Sequence, residues 1–523
     1  MGRPAQVFRR RENFQAGFPV KNHLPALLLI LPLAGAWLSF LLGFLSHRLS
    51  RLTAFLALLL TFYGTATSIP QVLKEGPWHY FLGGWAPPWG IELVITPFSA
   101  FLACFLLLMA LAALSTLGSF SLVAGLLKSR ESLGGALLLA GTSAFLALLW
   151  VRDGFTLYLF LQIAVVAATG LLVCTIRQGW PDGFHFLLGG SLGASLFLAG
   201  ILFLYSVTGT LHLDDLLAQL FIAKNFPMAL TAGILLVGGM GFLFSFPSPY
   251  FFSRLLNLAP PFLLGLLSSV MVRVAAYVLF LFLFFVLDVP GLAQPSWLTG
   301  SAYLLTLVFL FDFFMAARQK DFLHSVATLS VAQLAFLFIG FEAGNKSALT
   351  GSLMELLSQM VTVMGLFLAV GVLSLKPSGS HPFSKLAGLG RQDFGMALAL
   401  IVFAFSIAGV PPTGGCFGKY YLLQGLWEKK DWFLLAPLVA TLLFNLWPAA
   451  RFLWLLFEHR KTESFQAPIP FSAKAPMFLL ALLVILLGIF HQNVIQNFIE
   501  PALPKAYQNI PLPNVPFLGH EVE

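Results

Sequence analysis

The chain has 523 residues, of which 59% are hydrophobic and only 10% charged. A water-soluble domain carries about 25% charged residues, so this sequence cannot cover a water-facing surface of its own. Its 29 Lys and Arg against 21 Asp and Glu give a net charge of +8, which in so apolar a chain marks the cytoplasmic loops of a membrane protein rather than a nucleic-acid surface.

Runs of about 20 apolar residues follow one another, each sufficient to cross a hydrocarbon core of ~30 Å. They are continuous rather than alternating, so they predict an all-α polytopic membrane protein and not a β-barrel. Residues 1–23 form a basic tail with Arg9, Arg10 and Arg11, and no short apolar stretch leads to a cleavage site. The run from Leu24 is long enough to span, so it is expected to remain as the first helix. Fourteen spans are predicted, at roughly 24–46, 51–70, 94–127, 132–151, 153–177, 184–207, 228–246, 259–287, 298–317, 321–341, 347–375, 393–426, 432–457 and 475–493. Residues 78–92 are too rich in Gly and Pro to span, and a hairpin at the membrane surface is expected there. The proline-bearing tail after Gln492 is expected along the surface of the protein or of a partner.

Loops after odd-numbered spans hold 14 Lys and Arg, and those after even-numbered spans, with the C-terminal tail, hold 7. The odd loops are therefore expected in the cytoplasm and both termini outside, although the basic N-terminal tail pulls the other way. A bacterial inner membrane is the expected location.

Two spans are interrupted. The seventh ends in SFPSPYFF, with Pro247 and Pro249; the twelfth carries GVPPTGG, with Pro411, Pro412, Gly414 and Gly415. Proline removes a backbone donor and clashes with the preceding turn. In lipid such breaks survive only where protein or a water-filled cavity surrounds them. Breaks five helices apart predict two inverted five-helix repeats, 132–287 (spans 4–8) and 298–457 (spans 9–13), flanked by spans in 24–127 and by the last helix and tail, 475–523.

A charge inside a membrane is costly and usually functional. The candidates for a proton path are Lys419, Arg273, Asp312, Glu355 and His324, with Arg451 in the thirteenth span. Lysine loses its proton when desolvated and suits a relay, whereas arginine does not. The competing reading of Lys419 is a side chain reaching for the interface. Asp312 and Glu355 serve equally as structural ion pairs, and His324, beside Arg318 and Lys320, is expected near the interface. Cys104, Cys174 and Cys416 lie in apolar runs without ligand spacing and read as packing residues. The sequence has no metal, haem, iron–sulfur or nucleotide motif, so no cofactor is expected and no catalytic site within the chain.

GVPPTGGCFGKYYLL resembles the helix 12 signature of antiporter-like membrane subunits of NADH:quinone oxidoreductase (complex I) and of Mrp-type cation/proton antiporters. HYFLGGWAPPWGIELVITPFSAFL, FHFLLGGSLGASLFLAGILFLYSVTGTLHLDDL, APPFLLGLLSSVMVRVAAYVL and KDFLHSVATLSVAQLAFLFIG resemble further segments of that family in the same order, across roughly residues 78–426. Fourteen helices is also the family's number. The quinone-proximal complex I type and the Mrp D type are the nearest in pattern.

The resemblance implies ion translocation by a chain of buried ionisable side chains, and here it is uneven. The helix 5 glutamate of the family falls on Gln162, the helix 7 lysine on Phe242 or a neighbour, and the histidine after the helix 7 proline on Pro249. The helix 8 lysine falls on Arg273, a helix 11 histidine and lysine on Gln359 and Val363, and an aspartate before helix 3 on Thr96. Only the helix 12 lysine, Lys419, stands unchanged.

A glutamate–lysine pair works because a proton moved nearby changes the lysine through Coulomb coupling, and neither Gln162 nor Phe242 can do this. The resemblance therefore implies a membrane-arm subunit of a complex I-like or Mrp-like assembly, moving protons or sodium with a degraded first half-channel. A non-conducting scaffold in the same kind of complex is the alternative that the lost charges favour, and a stand-alone secondary transporter is a third. Its expected partners are other integral membrane subunits and lipids. Any redox chemistry would belong to other subunits.

Overall fold

The continuous apolar runs fold as helices because in hydrocarbon every backbone N–H and C=O must be satisfied within its own segment. A computed structural model describes residues 23–124, 128–176, 180–223, 226–246, 248–287, 311–373, 383–458, 471–508 and 512. It opens with α1 (Leu24–Gly43) and α2 (His47–Glu75), followed by strands β1 (Trp78–Phe81) and β2 (Glu92–Ile95). Next come α3 (Pro97–Ala124), α4 (Lys128–Trp150), α5 (Gly154–Thr175), α6 (Trp180–Thr208) and the short α7 (Leu213–Ala223). The first interrupted span is α8 (Phe226–Phe244) with α9 (Pro249–Leu258), leading to α10 (Pro261–Val286). The second half holds α11 (Phe322–Ala343), α12 (Lys346–Leu373), the broken pair α13 (Phe394–Ala408) and α14 (Gly414–Lys429), and α15 (Trp432–Phe457). The chain ends on α16 (Phe471–Ile489) and α17 (His491–Ala502).

Among the described residues eleven helices are long and apolar enough to cross a membrane, or twelve if Lys474–Ile489 and His491–Ala502, bent by 82°, form one broken span. The protein is thus an all-α polytopic membrane protein. The span predicted at 298–317 lies mostly outside the described residues, and its end, 311–318, is helical. Pro247 also lies outside them, while Pro249 opens α9 at a first-turn position where no backbone donor is needed. The chain after Gln492, expected along the surface of the protein or of a partner, stays helical to Ala502 beyond the bend and packs on α3. The reason is apolar: Ile495, Ile499 and Leu503 are buried, and Phe498 stacks on Phe101 of α3 at 4.2 Å.

The helices sort by burial. α12 is enclosed along all 28 residues, whereas the apolar windows of α1, α2 and α15 are only 22–33% buried. Yet α12 is not purely apolar: Glu355, Ser358, Gln359 and Thr362 recur at three- and four-residue steps. That spacing puts them on one face of a helix, and their burial needs polar partners on the neighbours.

Candidate functional site

α12 and α14 approach through glycine. A Cβ on Gly351 would stand 2.7 Å from the Gly418 carbonyl oxygen, and one on Gly418 would stand 2.7 Å from Glu355 Oε2. With no side chain between them, Glu355 and Lys419 meet across the contact. Lys419 Nζ donates to Glu355 Oε1 at 2.6 Å, and the two side chains are 3% and 0% exposed.

The break between α13 and α14 completes the lysine's surroundings. Gly409 closes α13 at φ 78°, a left-handed conformation that glycine adopts without strain. Residues 410–413 then turn the chain, and α14 starts at Gly414. Lys419 Nζ also donates to the Ser406 carbonyl at 3.2 Å and to the Gly415 carbonyl at 3.4 Å. Both oxygens flank the interruption: that of Ser406, in the last turn of α13, also accepts the Gly409 amide at 3.3 Å, and that of Gly415 lies in the first turn of α14. The Phe336 ring lies 4.9 Å from the same nitrogen. Lys419 does not reach for an interface; it is held in the interior.

From Glu355 a polar chain continues. Gln359 Nε2 donates to Glu355 Oε1 at 2.7 Å and stands 3.1 Å from Gln333 Oε1. Gln333 Nε2 donates to Asn445 Oδ1 of α15 at 3.0 Å. Gln333, Gln359 and Asn445 are all buried. A second branch joins Ser358, Ser406 and Thr362 at 2.8–3.1 Å. Glu355 Oε2, Gln359 Oε1 and Asn445 Nδ2 are buried without a hydrogen-bond partner, which leaves this interior with unspent polar capacity of the kind that ordered water satisfies.

Arg273, on α10, is 1% exposed. Its guanidinium donates to the carbonyls of Ser268 and, at 3.1 Å, Ser330, and it feels the Glu355 carboxylate electrostatically. The carbonyl of Ser268 belongs to a π-helical stretch, Leu267–Met271, and π turns recur at functional positions in helices. Backbone oxygens are thus its partners, rather than a glutamate at position 162.

The other expected residues fall elsewhere. Asp312 is buried but has no ion-pair partner among the described residues. His324 sits in the first turn of α11, 3.3 Å from the capping carboxylate of Asp321. Arg451 donates to the carbonyls of Ala317 and Gln319 at 3.2 and 3.0 Å, closing the helical residues 311–318. Val363 is buried and offers no polar atom. Gln333 and Asn445 escaped the sequence reading because uncharged amides inside apolar runs look like tolerated polar residues; the polar face of α12 was the available signal.

The first half is built differently. Phe242, near the end of α8, packs against Phe186 and Phe252 at 6.0 and 5.7 Å, and Phe246 meets the same two rings at 5.4 and 5.2 Å. Four phenylalanines fill the region of this break. Gln162 Nε2 donates to Ser191 Oγ at 2.7 Å, and no charged side chain among the described residues bonds it.

Residues 152–444 match the family model of the NADH:quinone oxidoreductase/Mrp antiporter transmembrane region. The chain is 30% identical over 502 residues to the NADH-quinone oxidoreductase subunit N of Desulforudis audaxviator, covering 92% of this chain and 99% of that one. The chain belongs to this family. Its fold is similar to a chain of the archaeal membrane-bound sulfane sulfur reductase (TM-score 0.82, 22% identity, 92% and 97% coverage). It is likewise similar to a chain of the Mrp complex of Dietzia (TM-score 0.79, 18% identity, 92% and 96% coverage). These relatives are subunits of multi-subunit membrane complexes, and the antiporter-like fold is shared by all of them.

Proposed function

We propose that this protein is an antiporter-like membrane subunit that carries protons through its second half only, with Lys419 and Glu355 as the switching pair. The observation that carries this reading is the 2.6 Å ion pair at the α13–α14 break, sealed from solvent and continued by Gln359, Gln333 and Asn445. Two opposite charges in a low-dielectric interior attract by several kcal/mol, on the order of 4 kcal/mol at 4 Å and an effective dielectric of ~20. Transfer of the lysine proton to the carboxylate neutralises both groups, so one proton movement discharges the pair without leaving a lone buried charge. Arg273, which does not give up its proton, stays beside this pair as a fixed charge and interacts electrostatically with Glu355. Phe242 and its neighbouring rings support a closed first half, which is the part of the scaffold reading retained here.

The working partners are neighbouring integral membrane subunits and lipid, in a bacterial inner membrane, with protons as the transported ion and sodium the alternative. The basic residues of the loops place both termini outside, and the connections after even-numbered spans share one face. Those after the predicted second, fourth and sixth spans join at Leu93–Val151 and Asp153–His212, and those after the tenth and twelfth join at Asn345–Gly425. Proton uptake by proteoliposomes containing the whole complex, matched for subunit content, tests the assignment. Lys419→Ala and Glu355→Gln abolish the share of uptake that passes through this subunit, and Lys419→Arg assembles without restoring it. Parent-like pumping by all three variants sinks the proposal and leaves the chain a scaffold.

A further inference from the structure

At one end of the bundle a second cluster of titratable side chains forms away from the Lys419 pair. Glu92, the first residue of β2, accepts from both directions: His79 Nδ1 lies 2.7 Å from Oε1, and His212 Nε2 lies 2.7 Å from Oε2. Asp214 and Asp215 follow His212 in the turn into α7, with Asp215 Oδ2 3.7 Å from His212 Nδ1. That Nδ1 is buried and has no hydrogen-bond partner, although His212 as a whole is only 7% exposed.

The backbone fixes these groups. Arg152 N donates to the Glu92 carbonyl at 3.1 Å, Leu213 N to the Arg152 carbonyl at 3.0 Å, and Gly154 N to the Leu211 carbonyl at 2.9 Å. Bridges pair Leu93 with Val151 and Asp153 with His212. The hairpin, the α4–α5 connection and the α6–α7 connection are therefore laced together by antiparallel bridges, and Glu92 and His212 project from them. The Arg152 side chain faces the Tyr277 hydroxyl, so it turns its charge toward the interior. Asp153 is engaged as the α5 cap, taking the Thr156 amide.

We propose that Glu92, His212, Asp214 and His79 form a site for one divalent transition-metal ion, for which zinc is the best chemical fit. Ligand atoms of Glu92, His212 and Asp214 all lie within 4.8 Å of one another. Around a tetrahedral zinc with bonds of ~2.0–2.2 Å, ligand atoms stand roughly 3.3–3.5 Å apart, so adjustments of an ångström or so close the site. His79, 49% exposed at its side chain, has the freedom to supply the fourth ligand. Two imidazoles and two carboxylates suit zinc, whereas calcium and magnesium prefer all-oxygen shells. The metal takes the place of the protons that now bridge the imidazoles to Glu92. It staples the hairpin to the α6–α7 connection and plays no part in the Lys419 pathway.

The purified whole complex, stripped with a chelator and titrated with zinc chloride alone, tests the site by metal content and isothermal titration. The expected result is one zinc per copy of this chain. Affinity for that zinc falls at least about tenfold in His212→Gln and in Glu92→Gln, the scale seen even for outer-shell changes at metal sites. If either buried variant fails to assemble, His79→Ala and Asp214→Asn, at exposed positions, are expected to weaken the same binding by a similar factor. Zinc uptake unchanged in the variants that assemble overturns the site. So does a zinc absorption-edge spectrum in which the titrated ion lacks imidazole nitrogen. Neither readout depends on transport.

Discussion

At the scale of single residues, Lys419 was the legible part of the site. A cation one helical turn beyond a double-proline break, in a chain with so few charges, has little reason to be there except to use the polar groups gathered at the break. Glu355 was legible as a buried charge, but its pairing was not, because the two residues lie 64 positions apart and only the glycine contact between α12 and α14 joins them. The pairing has a stability consequence. Removing one member of a buried ion pair strands the other charge at a cost of about 3–5 kcal/mol, whereas replacing both by apolar groups of similar volume is often neutral. Lys419→Met alone is therefore expected to lower the thermal midpoint and the yield of the subunit, and Lys419→Met with Glu355→Leu to recover most of that loss while still failing to transport. Differential scanning fluorimetry of the purified complexes reads this directly. A double variant less stable than the single one would mean that the pair is not the unit that holds α12 to α14.

At the scale of elements, the two halves show how similar breaks diverge. Both interrupted spans were visible in the sequence from their prolines, since proline in lipid demands a special surrounding. What fills each break was only half visible. Phe242 announced the loss of a charge, but the ring cluster it forms with Phe186, Phe246 and Phe252 depends on helices α6, α8 and α9 meeting. Conversely, Gln359 read as a lost ionisable position, yet it hydrogen-bonds Glu355 and carries the polar chain onward. Two glutamines, one per half, thus separate by role. Gln162→Ala removes a partly exposed bond to Ser191 and is expected to leave ion transport by the complex within about twofold. Gln359→Leu cuts the chain between Glu355 and Gln333 and is expected to cost at least tenfold, about 1.4 kcal/mol. Equal effects from the two substitutions, measured as initial rates of proton uptake, would contradict the assignment of conduction to the second half.

At the scale of the whole molecule, the class was legible from composition alone, because a chain with 10% charged residues has no option but lipid or protein around it. It could not say which flank meets which. The structure exposes large apolar side chains along its outer helices: Trp37 of α1 at 67%, Tyr63 of α2 at 68%, and Trp447 and Trp454 of α15 both at 63%. α12 and its polar face, in contrast, are wholly enclosed. Lipid tails satisfy an apolar flank as well as a protein does, so exposure alone would allow a monomer. The proton route decides otherwise. On the proposed route, a single buried pair with one relay toward α15 finds no second charge-switching pair among the described residues of the first half, so the energy that opens and closes it is expected from outside the chain. The protein is therefore expected to purify with other membrane subunits after mild detergent extraction, and native mass spectrometry is expected to show it within that assembly. Reconstituted by itself, it is expected to give no net proton uptake under a sodium or potassium gradient. A stable monomer that exchanged ions under such a gradient would restore the stand-alone transporter, and with it a driving pair in this chain that the Phe242 cluster denies.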